Sequence, residues 1–192
     1  DPKLKNEAFL RRFGRFINSL GGRYITAEDV NMKTSDMEYI AMETKYVTGL
    51  PEVKGGGGDP SPVTAYGTYL GMKAAAKKVY GSDSLEGKKI AVQGIGQVGK
   101  YLVEYLVKEN ATVYITDIFE DKLQKVAKET GATVVDANVV YDLDMDIYAP
   151  CALGATVNDQ TIDRLKCKVI AGAANNQLQD EQKHGKILMQ KG

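Results

Sequence analysis

A chain of 192 residues, 43% hydrophobic and 26% charged, carries enough apolar surface to bury a sizeable core as one domain or slightly more. Lysine plus arginine and aspartate plus glutamate both total 25, so no net field draws a polyanion, and without a basic block interleaved with aromatics no nucleic acid partner is expected. No apolar run approaches the roughly 20 residues of a membrane span, and the first residues resemble neither signal nor transit peptide, so a cytoplasmic address without a membrane partner is expected.

In chain order, residues 6–20 bring Phe9, Leu10, Phe13, Phe16, Ile17 and Leu20 round with the helical period and predict one buried helix face. Gly21 and Gly22 end that helix. Residues 23–27 read as a short strand that delivers Glu28 and Asp29 at its end. Alternate side chains of an extended segment point opposite ways, so only one of these carboxylates can face a cleft. Ser35 with Asp36 caps a second helix reaching about residue 43, and residues 46–49 are extended. Residues 1–50 are therefore a helix-strand-helix piece, too small to fold well alone. Residues 51–62 hold four consecutive glycines between prolines and read as a hinge or loop at a domain junction.

Residues 63–192 form the second part. A helix over 62–80 leads into strands at 89–93, 111–116, 133–135, 145–149 and 168–171, separated by amphipathic helices marked by Val98, Leu102 and Leu106 and by Leu123, Val126 and Ala127. This βαβ alternation predicts an α/β fold with a doubly wound, parallel, Rossmann-type sheet. A last helix over 180–190 points to a sixth strand beyond the chain, and a fragment of a longer protein is expected. In that helix His184 reads as a surface or satisfied structural histidine. With one histidine and two cysteines at no metal spacing, no metal site is expected, and Cys151 and Cys167 read as buried free thiols.

The chemistry concentrates at the ends of the predicted strands. Gly94, Gly96 and Gly99 end one strand and open a helix, where backbone N–H groups and the helix dipole can meet a pyrophosphate without side-chain obstruction. Asp117 closes the next strand, where a ribose hydroxyl needs an acceptor. A 2′-phosphate there would meet a like charge, at about 4 kcal/mol for 4 Å and an effective dielectric near 20, so NAD is expected over NADP. The fourth strand is followed by Cys151 and Ala152, and the fifth by a small-residue run ending in Asn175 and Asn176; both loops belong to the cofactor-facing edge of an open parallel sheet.

Longer strings carry a resemblance. Gly22-Arg23-Tyr24-Ile25-Thr26-Ala27-Glu28-Asp29-Val30, Tyr46-Val47-Thr48-Gly49, Asp59-Pro60-Ser61-Pro62-Val63-Thr64-Ala65-Tyr66-Gly67, Ala149-Pro150-Cys151-Ala152-Leu153-Gly154 and Ala174-Asn175-Asn176-Gln177-Leu178 are similar, in order and spacing, to the glutamate/leucine/phenylalanine/valine dehydrogenases. The nearest members act on branched-chain amino acids. The resemblance implies NAD-dependent oxidative deamination of an apolar L-amino acid to the 2-oxo acid and ammonia, in a homo-oligomeric parent. It implies that Asp29 exchanges protons with the substrate nitrogen, that Thr64 lies near the nicotinamide amide and Asn176 near its ribose, and that Gly94, Gly96, Gly99 and Asp117 form the cofactor fingerprint. In that family a catalytic lysine lies shortly before the position of Asp1, so this chain by itself is expected to be inactive. Many relatives also read Asp-Val-Gly-Thr-Thr where this chain reads Asp29-Val30-Asn31-Met32-Lys33; asparagine can replace glycine at a positive φ. The rival reading is an NAD-binding regulatory or sensor module, which needs neither a carboxylate facing the nicotinamide nor a glycine hinge over it.

Overall fold

The computed structural model describes residues 4–191, which divide into two compact units between Pro60 and Ser61. In the first, α1 (Glu7–Ser19) starts where the Asn6 side chain accepts the Phe9 N–H at 3.0 Å, and α2 (Thr34–Ala41) starts where the Asp36 carboxylate accepts the Lys33 N–H at 2.9 Å. The helices cross at Gly14, whose missing Cβ would lie 2.7 Å from the Ile40 carbonyl. Leu10 and Ile17 bury against Met37 and Ile40.

This corrects the expected single buried face. Leu10, Gly14 and Ile17 form one stripe; Phe9 and Phe16, one residue earlier in each turn, are rotated about 100° away and stay 54% and 60% exposed. The strand expected over 23–27 reduces to one parallel bridge between Thr26 and Val47. Thr26 accepts from Thr48 and donates to Tyr46, and the ladder goes no further. The glycine run is a closed turn. Gly58 N–H returns to the Leu50 carbonyl at 3.0 Å, and Gly56 packs so tightly that a Cβ would lie 2.0 Å from that oxygen.

The second unit opens with α3 (Ser61–Tyr80) and continues β1 (Lys89–Gln93), α4 (Gln97–Lys108), β2 (Thr112–Thr116), α5 (Glu120–Thr130), β3 (Thr133–Val134), β4 (Ile147–Pro150), β5 (Val169–Ile170) and α6 (Glu181–Lys191). The sheet order is β3-β2-β1-β4-β5 with every pair parallel, the doubly wound arrangement that alternating strands and helices predict. β4 begins at Ile147 rather than at residue 145, because Asp146 turns its carboxylate to the Lys89 N–H at 2.9 Å and ends the preceding turn. Alternation along β1 sorts the core. Ile90 and Val92 face Met72, Leu102, Leu106 and Leu123, while Ala91 faces Tyr148, Val157, Ile162 and Leu165.

Two polar devices brace this unit. Glu109, after α4, accepts from the Lys73 ammonium at 2.6 Å, from the Tyr69 hydroxyl, and from the Leu85 N–H at 3.1 Å. Burial alone would raise its pKa, but these donors outweigh burial and hold it below the ordinary carboxyl value. His184 is 1% exposed; its Nδ1 accepts the Asp180 N–H at 3.0 Å, which leaves Nε2 to donate to Asp159 at 3.0 Å. It is a satisfied structural histidine. Among the described residues no helix is long and apolar enough to cross a membrane.

Candidate functional site

The C-terminal edge of the sheet gathers Gly94, Gly96, Gly99, Asp117, Cys151, Ala152 and Asn176 of the predicted cofactor residues, and the three glycines there do different things. Gly94 extends β1 by donating to the Thr116 carbonyl at 2.8 Å, then turns at φ +99°, where a Cβ would lie 2.5 Å from the Ala152 nitrogen. Gly99, in the first turn of α4, seats that helix on the turn, since a Cβ would lie 2.0 Å from the Gly94 carbonyl. Gly96 has an ordinary φ of −73° and no atom within 4 Å of the space a Cβ would fill. Two glycines are therefore demanded by the chain's own packing. The third leaves an open surface at the N-terminus of a 12-residue helix, where unpaired N–H groups and the dipole favour an anion.

Asp117 stands beside this opening. One carboxylate oxygen accepts the Ile95 N–H at 2.6 Å and the other the Phe119 N–H at 2.9 Å. A carboxylate offers about four lone-pair positions, so each oxygen keeps one for a further donor such as a ribose hydroxyl. Asp117 thus shapes the glycine turn in addition to the acceptor role expected of it.

Cys151 and Ala152 enter through their backbone. The Cys151 N–H donates to the Gln93 carbonyl at 2.7 Å, and the peptide between Cys151 and Ala152 is the surface that excludes a side chain at Gly94. Burial pushes the Cys151 thiol up to about 11, which favours the protonated thiol near neutrality. The loops after β4 and β5 join. Ala155 N–H donates to the Asn176 carbonyl at 2.6 Å, Val157 N–H to the Gln177 carbonyl at 3.0 Å, and Ala174 N–H to the Pro150 carbonyl at 2.9 Å. Asn176 is exposed and lays its side-chain oxygen over Gly154, where a Cβ would come within 1.7 Å of it. Gly154 and Gly172 are two close-approach glycines that the sequence reading did not single out. Their position just after strand ends, among small residues, was the available signal. Thr64 lies exposed in the first turn of α3, its carbonyl accepting the Thr68 hydroxyl at 2.9 Å.

In the first unit the two neighbouring carboxylates part. Glu28 is half-buried against Gly49 and accepts the Thr34 hydroxyl at 3.1 Å; burial raises its pKa. Asp29 is exposed, with one carboxylate oxygen on the Val30 N–H at 2.7 Å. Asn31 takes the left-handed conformation, φ +62°, which asparagine tolerates better than most side chains. Because the folded-state pKa of Glu28 is raised, its contribution is present while it is protonated and is lost as pH rises through that value. Glu28→Gln is therefore expected to raise Tm over the native protein at about pH 8 and to match it near about pH 4, read from melting curves across that range.

Among the described residues no group of three or more His, Cys, Asp or Glu side chains could hold a metal ion. Residues 55–119 match the family described as Glutamate/Leucine/Phenylalanine/Valine dehydrogenase. The whole chain is 56% identical to leucine dehydrogenase of Thermoactinomyces intermedius, of which it covers 52%. Among solved structures it superposes on L-tryptophan dehydrogenase from Nostoc punctiforme with a TM-score of 0.76 at 44% identity, covering all of this chain and 54% of that one. The hetero-hexameric glutamate dehydrogenase from Thermus thermophilus shares the fold, with a TM-score of 0.79 at 21% identity, over all of this chain and 52% of that one. The chain thus spans about half the length of the curated relatives it matches. A parallel sheet in Rossmann order, a glycine fingerprint with one open position, and similarity over the whole of this chain at this identity converge: the chain belongs to the Glu/Leu/Phe/Val dehydrogenase family.

Proposed function

We propose that the full-length protein is a cytoplasmic, homo-oligomeric NAD-dependent dehydrogenase that oxidatively deaminates a branched-chain or other apolar L-amino acid. The observation that carries this reading is Gly96: at the mouth of α4 the chain leaves room for an anion that its own packing does not require. Leucine and L-tryptophan dehydrogenases among the relatives support an amino acid as substrate, and the family resemblance supports the oligomer and the cytoplasmic address.

NAD fits the residues present. The N–H groups opening α4 would hold its pyrophosphate, Asp117 its adenosine ribose, and the platform of residues 151–157 and 172–178, with Asn176 and Thr64, its nicotinamide half. When bound it accepts the hydride released as the substrate Cα–H bond breaks. Asp29 takes a proton from the substrate ammonium and returns one to the departing nitrogen. Water then replaces nitrogen at the resulting imine carbon, giving the 2-oxo acid and ammonia. The glycine turn and the Cys151–Ala152 peptide would offer the cofactor backbone N–H groups without adding a charge.

The test is cofactor preference. Asp117→Arg is expected to shift binding from NAD toward NADP by replacing like-charge repulsion with a phosphate partner, as titration calorimetry with both dinucleotides will read. Equal binding of NAD and NADP by the native protein would remove the role given to Asp117.

A further inference from the structure

A polar knot built on one buried and two half-buried side chains lies next to the glycine turn. Gln93 ends β1, and strand alternation turns its side chain to the same sheet face as Ala91 and Tyr148. The Tyr148 hydroxyl, on a fully buried side chain of β4, donates to the Gln93 amide oxygen. The amide nitrogen of Gln93 donates to the Tyr141 hydroxyl at 2.9 Å, and the two tyrosine rings meet with centroids 5.9 Å apart. Tyr141 in turn is held by Arg164, whose guanidinium lies 5.2 Å from its ring centroid and grips Asp142 at 3.0 and 2.7 Å.

The same residue also works through its backbone. Its carbonyl accepts the Cys151 N–H at 2.7 Å, and its Cα is paired with Pro150 in the sheet. The next residue is Gly94, which closes on Ala152. Three stretches of chain, the turn after β1, the segment after β3 and the end of β4, therefore meet on one residue, through its side chain at Tyr141 and Tyr148 and through its backbone at Cys151. Core packing alone does not call for this. A methionine or leucine would fill a similar volume without setting a half-buried amide against the buried Tyr148 hydroxyl, and a polar network of this kind makes its specific contribution by fixing one geometry.

We propose that Gln93 is a positioning residue for the dinucleotide: its amide, pinned between Tyr148 and Tyr141, sets the separation of the glycine turn at residues 94–96 from the segment carrying Cys151 and Ala152. The inference rests on the NAD reading above. It adds residues that touch no cofactor and act through the two walls that would.

The experiment uses the full-length protein and three measurements: direct NAD binding by calorimetry, steady-state kinetics in NAD and in amino acid, and Tm. Gln93→Met takes the partner from the buried Tyr148 hydroxyl, so Tm falls and KM for NAD rises about tenfold, while kcat and KM for the amino acid stay within about twofold. The double variant Gln93→Met with Tyr148→Phe removes that stranded hydroxyl. Its Tm returns most of the way to native, yet KM for NAD stays raised at least about fivefold, because an apolar contact fills space without fixing the spacing. If the single variant does not fold, the double variant decides. NAD affinity that recovers together with Tm makes the knot a packing feature and overturns the positioning role. A native protein that binds no NAD overturns the cofactor reading itself, a result distinguishable because it requires no variant.

Discussion

Gly94→Ala and Gly96→Ala, two residues apart in one turn, are expected to fail in opposite ways. At Gly94 an alanine is forced into φ +99° with its Cβ 2.5 Å from the Ala152 nitrogen, an atom fixed in the backbone of the neighbouring loop. Left-handed strain of about 1–2 kcal/mol and overpacking of about 1–3 kcal/mol add, so Gly94→Ala loses a large part of the stability of this unit, and NAD binding falls with the fold. Gly99→Ala meets the Gly94 carbonyl at 2.0 Å and behaves alike. Gly96→Ala meets nothing. It gives up only glycine's advantage as a helix N-cap, about 1 kcal/mol, or a Tm lower by no more than about 4 °C. Its methyl group nevertheless occupies the space assigned to the pyrophosphate, so NAD affinity should fall tenfold or more, a loss of about 1.4 kcal/mol or greater. Melting curves beside NAD titrations separate the two behaviours. Native-like NAD binding by Gly96→Ala would mean that the open surface at α4 is not where the dinucleotide lies.

That contrast also marks how far the sequence could be read. The spacing of Gly94, Gly96 and Gly99 is local, and strand, turn and helix follow within ten residues, so the fingerprint and the parallel order of the sheet were both legible. What each glycine does was not, because the atoms that exclude a side chain at Gly94 belong to Ala152, 58 positions later in the chain. Gln93 is a similar case. Nothing in the run Ile90-Ala91-Val92-Gln93 reveals that its amide will meet Tyr141 and Tyr148, since that meeting exists only after β4 has paired with β1. In the first unit one periodicity is shared by two stripes of α1. Phe9 and Phe16 share the spacing of Leu10 and Ile17, and only the docking of α2 decides which stripe is covered.

Asp29→Asn in the full-length protein is expected to lower kcat by about 10²–10⁴, the range for a lost general acid–base group, while KM for NAD stays near native. The argument begins at Asp29 and Glu28, adjacent carboxylates whose surroundings differ. Glu28 is spent on its own unit, half-buried against Gly49 and bonded to Thr34. Asp29 is exposed and keeps acceptor positions beyond the one filled by the Val30 N–H, so of the two it is the carboxylate with capacity left for a further donor. Asparagine preserves the bond from Val30 through its amide oxygen and leaves the loop in shape, but it cannot take up a proton, so the loss falls on the chemical step. Glu28→Gln keeps an acceptor for Thr34 and should reduce kcat by less than about tenfold. NAD affinity is expected to stay near native in both variants, because the fingerprint residues Gly94, Gly96, Gly99 and Asp117 are untouched. A larger kcat loss in Glu28→Gln than in Asp29→Asn would transfer the proton-exchanging role to Glu28. A fall in NAD binding that tracks the fall in rate would instead make Asp29 a cofactor ligand.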